Sequence, residues 1–223
     1  MKNVKTRNAL SLIMNIADFV LIFFSILWFF GPVGSQQGTG NMQVGRTGCF
    51  VFFTNDSNIL AALCCLIIVP FNIKALKSGK DEIPQWAMLL KFVGTVAVTL
   101  TLMVVVLFLG PTQGYGKMFA GVCMPLHLIC PLLCIISFCF FEQGFSLSKK
   151  QTWWGVVPTI VYGTVYLIMV VFVQGWDDFY GFNIGGYWYV SYCILPAVTY
   201  VFARLIRCLH NKACACDVEK SVL

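Results

Sequence analysis

Few residues in this chain could do chemistry. In "CFVFFTNDSNILAALCC", which begins at Cys49, a Thr-Asn-Asp-Ser-Asn run interrupts apolar sequence. In "MPLHLICP", His127 stands between Pro125 and Pro131. A threonine hydroxyl is a weak nucleophile and needs a base, and an imidazole, with an unperturbed pKa of about 6.5, is the usual one. Thr54 and His127 would make such a pair. Asn55 or Asn58 would donate hydrogen bonds to an oxyanion, and Asp18 or Asp56 would orient the imidazole. The same run also reads as a helix start, with Thr54 or Asn55 as cap and Asp56 favourable to the dipole. A lone histidine in a membrane helix also serves simply as a hydrogen-bond partner. On a helix Thr54, Ser57 and Asn58 share a face, while Asn55 and Asp56 point elsewhere. That turn is polar nearly all round and cannot face lipid. The Asn55-Asp56-Ser57 match to a glycosylation sequon abuts an apolar run and is taken as chance.

The elements that hold these residues are membrane spans. Of the 223 residues, 59% are hydrophobic and 11% charged, against about 25% charged in soluble domains. Apolar runs of about 20 residues recur, the length that crosses a bilayer as a helix. Six are expected, over residues 9–30, 49–73, 86–109, 118–141, 153–173 and 187–209. The first is too long for the apolar core of a signal peptide. Lys2, Lys5, Arg7, Lys74, Lys77, Lys80, Lys149, Lys150, Arg204, Arg207, Lys212 and Lys220 all fall on one side, and only Arg46 and Lys117 on the other. By the positive-inside rule both termini are cytoplasmic. The net charge of +6 is this bias and no nucleic-acid footprint. Trp86, Trp153 and Trp154 mark inner ends, and Trp28, Trp176, Tyr187 and Trp188 outer ones. The expected architecture is an all-α bundle of six transmembrane helices over residues 1–210, followed by a short cytoplasmic tail at 211–223.

Ionisable residues inside spans are functional candidates. Lys91 is expected to snorkel to the inner interface, and Glu142 to end the fourth span there. With the second and fourth spans both running inward, Thr54 lies roughly 7 Å and His127 roughly 13 Å deep at 1.5 Å per residue, which are compatible depths. Asp18 lies deeper. Pro131 removes the hydrogen bond to the His127 carbonyl, so the helix is open at that histidine. Most of the eleven cysteines lie within spans as small apolar residues. Cys49 and Cys123 share the outer face, and a bridge between them is left open. The tail sequence "RCLHNKACAC" suits palmitoylation better than a metal, and a bland tail is a further reading. No metal or organic cofactor is implied.

The layout, with "FFTNDSN" opening the second span and "PLHLICP" in the fourth, resembles the androgen-induced / androgen-dependent TFPI-regulating family and its microbial six-span relatives. The resemblance implies an intramembrane threonine hydrolase of fatty-acid esters of hydroxy fatty acids, with Thr54 as nucleophile and His127 as its partner. Some relatives look like acyltransferases, which would use the same residues with a lipid alcohol in place of water. The expected substrate is a membrane lipid or fatty-acyl ester, drawn from the bilayer of a cell membrane or another cellular membrane. Two rivals are a small transporter using Asp18, Asp56 and His127 as a proton or solute path, and a non-catalytic membrane protein. No paired repeat of the transporter kind is found.

Overall fold

A computed structural model describes residues 4–36, 38–39 and 42–221. The chain is helical, apart from one antiparallel pairing of two-residue strands, β1 (Gly38–Thr39) and β2 (Met42–Gln43). Among the described residues five helices are long and apolar enough to cross a membrane: α1 (Val4–Trp28), α2 (Phe53–Ser78), α3 (Gln85–Gln113), α5 (Lys150–Phe172) and α6 (Trp188–Ala215, continuing to Ser221). The fourth apolar segment, α4 (Pro125–Phe140), is shorter, with five residues of π turn followed by eleven of α-helix. At 1.5 Å per residue it is about 24 Å long, less than the hydrocarbon thickness of about 30 Å.

Three expected boundaries move. Cys49 to Phe52 do not belong to the second span: Arg46–Val51 is a 3-10 turn, and α2 starts at Phe53. The fourth apolar segment was expected from Met118, but Met118 ends a one-turn helix, Tyr115–Met118, and α4 starts at Pro125. Pro125 has no N–H to offer and suits a helix start. The last helix does not stop near residue 209 but runs on into the expected tail.

α3 is the central helix, with 67% of its apolar window buried against 22–39% for the other four. It packs against α2 and α4 on one side and against α5 and α6 on the other, while α1 closes the ring with α2 and α4. Close approach of α2 and α3 depends on Gly94, where a Cβ would stand 3.1 Å from Cys64 Sγ and 3.2 Å from the Ala61 Cα. Lipid tails are as apolar as leucine, so association in a bilayer rests on such packing and on interhelical hydrogen bonds. Both termini, the α2–α3 loop and the α4–α5 loop gather at one end, here called proximal. There Arg7 binds Gln143 (2.8 Å) and Asp81, and Asn211 pairs with both backbone groups of Leu147 (2.9 and 2.8 Å). The other end is distal.

Candidate active site

Thr54 is the second residue of α2, on a helix end that has no side-chain cap of its own. The first N–H groups of a helix have no partner within it. Here a tyrosine from elsewhere meets them. Phe53 N–H donates to the Tyr180 hydroxyl at 3.1 Å, and Thr54 lies next to that hydroxyl. Tyr180 lies in the α5–α6 loop, which Asp178 folds. One Asp178 oxygen accepts from the Tyr166 hydroxyl (2.7 Å) and Phe182 N–H (2.9 Å), the other from Asn183 N–H (3.0 Å). The "WDDFYGFN" stretch is therefore a built strap over the start of α2. Burial pushes the Tyr180 pKa up to about 12, so the hydroxyl keeps its proton at neutral pH.

Beneath the strap a cleft of about 770 Å³, counted to its open mouth, runs between α2, α3, α5 and α6. Thr54 lines it, together with apolar side chains such as Leu100 and Val104 of α3 and Leu195 of α6, and with the rings of Tyr162, Tyr166 and Tyr192. Two π turns, Val105–Leu109 in α3 and Ile168–Phe172 in α5, contribute to its wall, and such bulges are frequent at functional sites. The cleft is apolar along most of its length and polar near Thr54 and Tyr180. An oxygen gaining negative charge in the place of the Tyr180 hydroxyl would meet the N–H groups of Phe53 and Thr54 and the positive end of the α2 dipole.

His127 lies in the π turn that opens α4 and is not part of this lining. Its Nδ1 is 2.6 Å from the Met118 carbonyl oxygen. A carbonyl only accepts, so Nδ1 carries the proton, and Nε2 of the neutral ring has its lone pair free. The link between the two candidates is Asn58. Its amide donates to the Thr54 carbonyl (2.7 Å) and to the Leu126 carbonyl (3.0 Å), tying the first turn of α2 to the residue before His127. Both N–H groups of Asn58 are spent on backbone. Asn55 donates to the Cys49 carbonyl at 2.7 Å, which anchors the preceding 3-10 turn. These bonds give Asn55 and Asn58 a tethering role. Ser57, whose hydroxyl meets that of Thr101 at 2.8 Å, ties α2 to α3.

Among the described residues neither acid has a hydrogen bond to the His127 ring, whose Nδ1 faces the Met118 carbonyl. Asp56 is near enough to Cys49 that, with burial as the larger cause, its charge helps push that thiol up to about 11. Cys49 and Cys123 are both free thiols. Asp18 belongs to a second polar group, deep in the bundle. Its Oδ2 accepts from the thiols of Cys134 (2.8 Å) and Cys65 (3.6 Å). Lys91 does not snorkel. It is 1% exposed and donates to Asn15 Oδ1 (2.7 Å) and Cys65 Sγ (3.0 Å), with Glu142 Oε1 at 3.7 Å. Glu142 likewise is no interface residue: it is fully buried, and Asn15 (2.8 Å) and Ser137 (2.5 Å) donate to it. An ammonium and a carboxylate each satisfy the other's charge here, which removes the need to reach water.

Sequence reasoning missed Tyr180 as a partner of Thr54. The signal was a short loop rich in acid and aromatic residues, without any indication of which helix end it would cover. No family model matches the chain, and no curated protein or solved structure matches it.

Proposed function

We propose that the chain is an intramembrane lipid-ester hydrolase with Thr54 as nucleophile and His127 as base. It would sit as six membrane segments with both termini in the cytoplasm, so that the distal cleft opens in the outer half of the bilayer. The observation that carries this reading is the position of Thr54. It stands at the polar end of an apolar cleft, beside backbone N–H groups at a helix start. An acyl chain entering from the bilayer would fill the apolar part and leave its ester at the threonine. The Thr54 Oγ1 attacks the carbonyl carbon, and its proton passes to Nε2 of His127. The alkoxide leaves with that proton, and water then cleaves the acyl-enzyme, returning the threonine hydroxyl. For the transfer to occur, the His127 ring must come within hydrogen-bond reach of Thr54, and apo sites are often looser than the working complex. The Asn58 tie keeps the two segments in register for it. An acyltransferase would use the same groups with a lipid alcohol as acceptor.

The test is cleavage of a medium-chain fatty-acyl ester by purified protein in detergent, together with labelling by a fluorophosphonate probe. Thr54→Ala should abolish both, and Thr54→Ser should retain part of each. His127→Ala should lose about as much as Thr54→Ala, and the double variant little more, because residues acting as a unit give non-additive losses. Undiminished cleavage by folded Thr54→Ala would remove the proposal.

A further inference from the structure

We infer that Asp18, Cys65 and Cys134 form a binding site for a soft divalent cation of the zinc type, near mid-depth of the bundle. Among the described residues these three bring one carboxylate oxygen and two sulfurs within 4.8 Å of one another. They come from α1, α2 and α4, and all three are buried. Zinc takes thiolate and carboxylate ligands in a tetrahedron, with Zn–S of about 2.3 Å, so the Cys134 sulfur and the Asp18 oxygen, 2.8 Å apart, would open slightly on binding. Cys130, one turn before Cys134 on α4, is a further neighbour of Asp18.

A second observation points the same way. Asp18 Oδ1 is buried and has no hydrogen-bond partner, in a residue that is 1% exposed. An unsatisfied carboxylate oxygen costs about 1–3 kcal/mol or more, and a bound cation would satisfy it. Charge balance permits the exchange. One M²⁺ enters as the S–H protons of Cys65 and Cys134 leave, so the net charge of the buried cluster is unchanged. That matters where a net charge cannot be solvated. Lys91 Nζ, 3.0 Å from Cys65 Sγ and 3.7 Å from Cys134 Sγ, need not leave, since its N–H groups would donate to both metal-bound thiolates. Access is polar on one side only. Asn8 and Arg7 bind Asp81 near the proximal surface, and Ser11, Asn72 and Asn15 continue inward to Lys91.

The experiment uses the protein in detergent, reduced and freed of metal with a chelator, on a Cys208→Ser, Cys214→Ser, Cys216→Ser background that removes the cysteines flanking His210 in the sequence. Titration with Cd²⁺ should saturate at one equivalent, with thiolate-to-cadmium absorption in the near ultraviolet and displacement by Zn²⁺. Cys65→Ser and Cys134→Ser should each lose most of that absorption. Asp18→Asn should weaken binding by at least about tenfold, and Cys193→Ser on α6 should change nothing. Should the ligand variants fail to fold, X-ray absorption of the zinc-loaded background protein decides: Zn–S scattering at about 2.3 Å supports the site, and a shell of nitrogen and oxygen alone overturns it. Absence of one-equivalent binding, or full absorption in a folded Cys65→Ser, Cys134→Ser double variant, also overturns it.

Discussion

The distal cleft and the proximal polar core use similar residue types inside the same helices, and they are built in opposite ways. Around the cleft, Thr54, Tyr162 and Tyr180 line open space, backed by aromatic rings, and the two tyrosine hydroxyls bind the backbone of Val51 and Phe53. In the core, Asn15, Lys91, Ser137 and Glu142 turn toward each other and bind one another. The contrast separates a polar group arranged around a vacancy from one arranged around a partner. Polarity in a bilayer must be compensated, and in both regions hydrogen bonds between segments supply most of that compensation. Only the first leaves room for a substrate. Ionisable character is therefore a poor guide to which residues face the cleft: Lys91 and Glu142 pair with each other inside the bundle, whereas Thr54 lines the cleft.

Substitutions should divide along that line. The largest effect on stability is expected at Lys91. Lys91→Met leaves Glu142 without its cation and should cost about 3–5 kcal/mol, read as a fall in detergent unfolding midpoint. Lys91→Met with Glu142→Gln should recover much of the loss, since neither charge is then unpaired. Thr54→Ala, by contrast, should leave the midpoint nearly unchanged while activity disappears. A Lys91→Met protein as stable as the wild type would show that the core is not held by this pair.

Asn58 joins the two regions' requirements and should give an intermediate effect. Asn58→Ala removes the bonds to the Thr54 and Leu126 carbonyls, both inside the bundle. Losing them should cost about 1–3 kcal/mol, with ester cleavage falling further than stability alone explains. Normal cleavage at normal stability would dissolve the proposed tie between nucleophile and base. The smallest effect belongs to the exposed Lys74–Glu82 pair at the proximal surface, 2.8 Å apart. The Lys74 hydrogen bond, followed by that of Ser78, holds the Glu82 carboxyl below its usual range. A depressed carboxyl contributes stability above its unfolded pKa and loses it as pH falls through the folded one. Solvent screens an exposed pair, so Glu82→Gln at pH 7 should leave the midpoint within measurement error.

The amino-acid sequence by itself determined that this is a helical chain with several bilayer-length apolar segments, because length and hydropathy alone decide whether a helix can replace its lost water contacts. It also marked Thr-Asn-Asp-Ser-Asn as a turn unfit for lipid, since polarity on every side of a helix excludes lipid whatever surrounds it. Tertiary structure decided the partners. Lys91, Glu142 and Asn15 are far apart in the chain, and only the packing of α1, α3 and α4 turns an expected interface lysine into half of a buried pair. Asp18, Cys65 and Cys134 show no metal spacing because each sits on a different helix. Tyr180 caps α2 because Asp178 folds a loop across more than a hundred residues of sequence separation, 127 from Phe53. Hydropathy is summed along one segment and is legible there. A hydrogen bond between segments depends on the rotation and depth of two helices at once, which no single segment specifies.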